Sequence, residues 1–272
     1  MSCACGHHHP APAITGGQPA PLSRPMIALQ GRLICHDMGQ MMTALDLLPD
    51  HQALSRAEPG CLRFDIAQSE DPLIWTLSEI FTDADAFAAH QTRTADSTWG
   101  QASTGLTRDF HRHDLHPAIR PETASDHDAL DRLLTLTFGT RAEADLVHNL
   151  RRAGDLAVSL IAHADGLPVG HIALSPLQAD RPAYALAPLA VHPALQGRGL
   201  GRALIACALQ AAGDRPVVVL GDPAYYSRSG FTPASLTSPH QGPALQIHGQ
   251  LPRHTTITHA PAFSRLLSLS SS

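Results

Sequence analysis

Apolar positions first fall into order at Ile27, where a run to Cys35 suits a β-strand. From Met38 to Arg56, Met41, Leu45, Leu48 and Leu54 recur near the 3.6-residue period of a helix, and Glu58-Pro59-Gly60 closes it. CLRFDIAQ then alternates, with Leu62, Phe64 and Ile66 on one face and Arg63 and Asp65 on the other. LIWTLSEIF repeats the pattern after an Asp71-Pro72 turn, which predicts a hairpin. Thr82 and Asp83 are placed to cap a helix through Phe87 and His90, and Leu106 to Arg112 offers a last short strand. The predicted order is β-α-β-β-α-β.

That order is the split βαβ arrangement of ferredoxin-like domains. A His- and Pro-rich stretch, FHRHDLHPAIRPET (residues 110–123), then reads as a linker, with the boundary near Asp114 to Pro117. Beyond it the pattern is longer and mixed. AIRPET is a short strand, Ser125 with Asp128 three residues on is a candidate capping pair, and Arg141 to Ala153 is a second helix. Two β-type runs around Asp165-Gly166 predict a hairpin, and AYALAPLAVHP, apolar on both sides, is a central strand ending at Pro193. RALIACALQAAG continues as a helix with Leu204, Ala208 and Ala211 on one stripe, followed by a strand at VVVL.

Composition narrows the function classes. The chain has 272 residues, twice what one domain usually needs, with 43% hydrophobic and 16% charged residues. A net charge of −5 excludes the broad basic stripe of a general nucleic-acid binder. All 19 basic residues are Arg, so there is no Schiff-base lysine and no Walker lysine. No run of 18 apolar residues occurs, so no membrane span is expected, and five cysteines without framework spacing point to reduced thiols in the cytoplasm. Residues 1–25 hold five Pro and three Gly and read as a mobile tail. Within it, Cys3, Cys5 and His7 are candidate ligands for zinc or copper, although Cys-x-Cys is tighter than the usual spacing. The expected division is tail 1–25, first domain 26–114 and second domain 115–272.

The strongest chemical signal follows the central strand. Gln196-Gly197-Arg198-Gly199-Leu200-Gly201 runs directly into a helix. Successive N–H groups in such a loop, with the positive end of the helix dipole, form an anion cradle fit for a diphosphate. Arg198 and Arg202 add charge-assisted hydrogen bonds. A dinucleotide fingerprint is the competitor, but the region about 20 residues on, where its acidic residue would stand, holds Arg215 and Pro216. In the first domain, Trp75, Leu77, Glu79 and Phe81 share one strand face, so Glu79 either pairs with an arginine such as Arg63 or looks into a cavity. Trp75, Glu79 and His90 are the candidate residues of that cavity.

Two resemblances follow from these residues. Glu58 to Asp65, Glu79 and Ala86-Phe87-Ala88-Ala89-His90 resemble the antibiotic biosynthesis monooxygenase (ABM) family, quinol monooxygenases among them. That likeness implies a homodimer whose sheets pack into an α+β barrel, and in some members oxidation of aromatic or quinol substrates without metal or flavin. LAPLAVHPALQGRGLG, VVVLGDP and Tyr225-Tyr226-Ser227-Arg228-Ser229-Gly230-Phe231 resemble the acetyl-CoA site of GNAT N-acetyltransferases. Gly170 to Pro176 and Gly242-Pro243-Ala244 are similar to its YhbS-type branch. The second resemblance implies a mixed-sheet α/β domain and acetyl transfer from acetyl-CoA to a small-molecule or peptide amine. It implies a diphosphate on Gln196, Gly197, Arg198, Gly199, Leu200, Gly201 and Arg202, a thioester oriented by the backbone of Leu189 and Val191, and Tyr226 as the acid for the departing thiolate. Ser229 departs from the bulky aromatic common before Gly-Phe, no Glu stands on the central strand, and the base stays unassigned, with His192 nearby serving a turn. Two other functions stay open: an oxygenase as the main activity, and a non-catalytic ligand-binding or dimerising module.

Overall fold

The computed structural model describes residues 17–239 and 242–264. Cys3, Cys5 and His7 lie outside them. The chain divides into two compact units, one of Pro21–His116 and one of Pro117–Ser272 together with the residues up to Ala20. A short strand, β1 (Gln18–Pro19), opens the described chain and belongs to the second unit.

In the first unit the elements are β2 (Met26–Ile34), α1 (Met38–Arg56), β3 (Cys61–Gln68), β4 (Ile74–Phe81), α2 (Ala84–Asp96), α3 (Thr98–Ala102) and β5 (Thr107–Leu115). The sheet order is β3-β4-β2-β5, all antiparallel, which is the ferredoxin-like order the pattern predicts. Asp37 and Asp83 cap α1 and α2, each accepting an N–H three residues on. The buried stripe of α1 differs from the expected one. It is Met41, Ala44, Leu48, His51 and Ser55, while Leu45 and Leu54 are 42% and 55% exposed. The helix turns two polar residues inward because they complete a buried polar cluster described below. A bulge between Cys61 and Arg63 also takes Leu62 out of the alternation, leaving Phe64 and Ile66 opposite Glu79 and Leu77.

The second unit contains β6 (Ala118–Pro121), α4 (His127–Phe138), α5 (Ala142–Ala153), β7 (Val158–Ala164), β8 (Leu167–Leu177), β9 (Ala183–Val191), α6 (Leu200–Ala212), β10 (Val217–Leu220), α7 (Pro223–Tyr226), β11 (Thr232–Pro233) and β12 (Leu245–His248). Its sheet order is β1-β6-β7-β8-β9-β10-β12-β11, with β9 and β10 parallel and the other pairs antiparallel. Asp165 and Gly166, both at positive φ, make the two-residue turn between β7 and β8. Adjacent residues of β8 show how the layers lie: a Cβ on Gly170 would meet Leu204 of α6, and His171 is paired with Ala190, which is buried among Leu130, Leu133 and Val147 of α4 and α5. The helix pair and α6 therefore cover opposite faces.

Three expectations change. The stretch from 110 to 123 is strand on both sides of His116-Pro117, since β5 runs to Leu115 and β6 starts at Ala118. The capping pair is Thr123 and Asp126, not Ser125 and Asp128. Asp126 Oδ2 accepts from Thr123 N and Oγ1 at 2.7 Å each, and both its oxygens take Arg120 at 2.7 and 2.9 Å. The tail also stops short of residue 25: β1 pairs with β6, Ala20 N donates to Pro117 O at 2.8 Å, and Ala20 and Leu22 are buried. Residues 21–116 are thus an insertion between the first two strands of the second unit.

Candidate active site

The central feature of the second unit is where β9 and β10 stop pairing. Their parallel ladder covers Tyr184 and Ala185 against Val217 and Val218, yet β9 continues to Val191. The register with β8 slips by one residue at Ala187-Pro188, a bulge that re-aims the strand. Beyond it, His192 N donates to Val169 O at 2.9 Å, which makes Gly170 and Val191 a non-hydrogen-bonded pair. The N–H and C=O of Val191, and of Leu189 two residues earlier, therefore point away from β8, to the side where the β9–β10 ladder has ended. The Val191 carbonyl there accepts from the Gln196 side chain at 3.2 Å, tying the glycine loop to the strand.

Gly197 and Gly199 have φ of 75° and 96°, the left-handed region that glycine enters without a Cβ penalty. Gly199 is the N-cap of α6 and has no side chain to accept from the first-turn amides, so those donors are left for another partner. Gly201 plays a different part, because the missing Cβ leaves room for the Tyr225 hydroxyl.

These pieces line one cavity of about 660 Å³: Leu189, Val191, Gln196, Gly197, Gly199, Leu200, Gly201, Arg202 and Tyr226 of the residues expected from sequence. Arg198 is not in its lining; Arg228 is. Thr137 and Phe138 at the end of α4, and Tyr225, complete a wall that the motif reading missed. Tyr226 is buried edge-on against Phe231 and Tyr225, with centroids 5.5 and 5.1 Å away. Burial pushes both tyrosine hydroxyls above their ordinary pKa; for Tyr225 the nearby Arg202 pulls the other way. His192 sits at a turn, its Nδ1 accepting from Ala194 N at 3.3 Å, and burial lowers its pKa.

The acetyltransferase (GNAT) family model matches residues 127–231. The chain is 42% identical over 120 residues to the uncharacterized N-acetyltransferase YhbS of Escherichia coli K12, covering 42% of this chain and 72% of that protein. The chain belongs to the GNAT acetyltransferase family. YjhQ, an uncharacterized N-acetyltransferase of the same organism, is 39% identical over 121 residues, 41% of this chain and 67% of the relative. The crystal structure of YhbS from Escherichia coli in complex with CoA superimposes with a TM-score of 0.51 at 33% identity, covering 55% of this GNAT chain and 93% of YhbS. In the first unit, residues 26–99 match the family model for antibiotic biosynthesis monooxygenases.

That ABM unit has its own cavity, of about 340 Å³. Glu79 and His90 line it, but Trp75 does not; it is packed with Leu33, Met41 and Trp99 in the core. Glu79 meets His90, whose Nε2 is 3.9 Å from Oε2. The sequence reading missed what surrounds them. Arg93 donates to Glu58 Oε1 and Ser55 Oγ at 2.7 Å each and reaches His51 Nδ1 at 3.3 Å, while His90 Nδ1 meets Glu58 Oε2 at 2.9 Å. The available signal was His51 and Ser55 four apart on the inward stripe of α1. Among the described residues no metal-binding group of three His, Cys, Asp or Glu occurs.

Proposed function

We propose that the second unit transfers an acetyl group from acetyl-CoA to an amine. What supports this most is a single cavity that combines the N–H groups of Leu189 and Val191 facing away from β8, the uncapped start of α6 and a buried tyrosine. The residues present suit CoA: first-turn amides and Arg202 and Arg228 for the phosphates, and Leu189 and Val191 for the thioester arm.

In this reading the N–H groups of β9 stabilise negative charge that gathers on the acetyl oxygen as the amine attacks. The carbon–sulfur bond breaks, and Tyr226 gives its phenolic proton to the departing sulfur, then regains one from solvent. The amine loses its proton to water, since His192 is held in its turn. A thermal-shift series with acetyl-CoA tests the assignment. Stabilisation growing with concentration past the micromolar range is expected, and a flat series would remove it.

No helix among the described residues is long and apolar enough to cross a membrane. Cytoplasmic residence and self-association through the ABM unit complete the proposal. A solution mass near twice 28.9 kDa is expected, and a monomer at micromolar concentration would overturn the dimer.

A further inference from the structure

The cavity of the second unit has room for an amine but offers nothing to take its proton. Among the described residues its lining contains no Asp, Glu or His. The ionisable groups that face it are Arg202 from α6, Tyr225 and Tyr226 from α7, and Arg228 from the turn that follows. β9 contributes only Leu189 and Val191, and the end of α4 only Thr137 and Phe138. Arginine stays charged throughout the working range. Burial raises both tyrosine hydroxyls, that of Tyr226 further through Tyr225, so neither is a base near neutral pH. His192 follows Val191 in sequence, but its Nδ1 takes Ala194 N at 3.3 Å and its ring is not part of the lining.

The same walls give an ammonium no carboxylate to pair with. Both charged side chains are cations, which repel a second positive charge brought into a partly enclosed space. What meets the body of an acceptor is apolar and aromatic: Leu189, Tyr225, Tyr226 and Phe138, which is 38% exposed. An amine attacks through its lone pair, so an ammonium must first lose a proton, and here only water receives it. The reactive fraction then depends on the pKa of the amine itself. An α-amino group titrates at about 8 and a lysine-type alkylammonium at about 10.4, so at pH 7 the neutral fraction of the first is larger by roughly a few hundredfold. A far weaker base is also a weaker nucleophile, which puts the best acceptor close to the working pH.

We propose that the acceptor is an amine of low basicity that enters uncharged, its nitrogen beside an electron-withdrawing group and its body apolar, and that alkylammonium and polyamine acceptors are poor substrates. This rests on acetyl transfer by the second unit and names the class of amine that the site takes.

The test follows CoA release by the full chain with acetyl-CoA saturating and four acceptors. Phenethylamine and its β-fluoro and β,β-difluoro derivatives keep one ring and chain while basicity falls stepwise; spermidine is the fourth. At pH 7 the difluoro amine is expected to exceed phenethylamine at least fivefold in kcat/KM, and spermidine by more. From pH 7 to pH 9 the value for phenethylamine should rise about tenfold per pH unit as its neutral form grows, while that for the difluoro amine stays level. A level profile for phenethylamine would reveal a base in the protein and overturn the proposal. Spermidine as the best acceptor would reveal a held ammonium and do the same. Turnover of none of the four, with acetyl-CoA still raising the melting temperature, overturns the proposal and leaves acetyl-CoA binding standing. Absence of that thermal shift as well overturns the acetyl-transfer reading and this inference with it.

Discussion

The hydroxyl of Tyr225 fills the space that a β-carbon on Gly201 would occupy. The two residues belong to different elements of one wall, α7 and the start of α6, so the tyrosine can line the cavity only while position 201 stays bare. Gly201→Ala should move the ring while leaving α6 intact, because alanine favours a helix interior over glycine by about 1 kcal/mol. The expected outcome in steady-state kinetics is a rise of about tenfold in KM for acetyl-CoA with kcat changed less than threefold. An unchanged KM would show that Tyr225 takes no part in binding.

Tyr226 separates from its neighbour by the opposite kinetic split. In the role proposed for it, acid for the departing thiolate, it would act late in the reaction, where general-acid groups contribute about 10²–10⁴-fold. Tyr226→Phe keeps the ring contact with Phe231 and removes only the hydroxyl. It should lower kcat by at least tenfold and leave KM for acetyl-CoA within twofold, whereas Tyr225→Phe should act chiefly on KM. Equal loss of kcat in both variants would undo the assignment.

What sequence made legible, and what it hid, follows physical lines. The bounds of α1, Met38 to Arg56, are legible in the sequence because its ends carry local signals, the Asp37 cap and the Pro59-Gly60 stop. Its inward face is not legible there, because His51 and Ser55 look like surface residues until Arg93 arrives from α2 to bond them. Gly197 and Gly199 announced the loop through a conformation only glycine takes easily. Thr137 and Phe138 announced nothing, since a helix end becomes a cavity wall only through tertiary placement. The role of β1 was hidden for the same reason: two residues with no periodicity gain strand character only by pairing with a strand on the far side of the inserted unit.

Stability against pH should carry the mark of Glu79. Its folded-state pKa of about 8 lies above the unfolded value of 4.5, so the folded state binds the extra proton. The contribution is therefore full below pH 4.5 and is lost progressively as pH rises through 8. Glu79→Gln, which cannot ionise, should raise the melting temperature of the ABM unit at pH 9 and flatten its decline between pH 6 and 9. A decline of the same slope in the variant would assign the effect elsewhere.

At the acid end the sign reverses. Asp126 is 6% exposed, and its two oxygens hold Arg120 and Thr123, the cap of the short 3-10 turn that leads into α4, which keeps its pKa well below the usual carboxylate range. That stabilisation is complete above about pH 4 and is lost as pH falls through the lowered value. Asp126→Asn removes the charge and one acceptor. A loss of about 2 kcal/mol at pH 7 is expected in denaturant unfolding, in the range for charge-assisted hydrogen bonds. The difference between variant and parent should shrink below pH 4; a constant difference would mean that packing, not charge, was lost.

The insertion geometry makes one prediction about folding independence. Ala20 and Pro117 are joined by a backbone hydrogen bond at the end of the β1–β6 pair, the spacing from which a two-residue hairpin turn departs. Replacing residues 21–116 with Asn-Gly should close β1 and β6 into a hairpin. The remaining acetyltransferase unit keeps α6 anchored on that edge, where the Cys207 thiol meets the Gln18 side chain at 3.1 Å. The shortened chain is expected to melt cooperatively and to be stabilised by acetyl-CoA as much as the full chain. Removing residues 1–20 as well should expose Cys207, read as faster alkylation of that thiol. If the shortened chain folded only with residues 21–116 supplied in trans, the insertion would have to be counted as part of the second unit's own core.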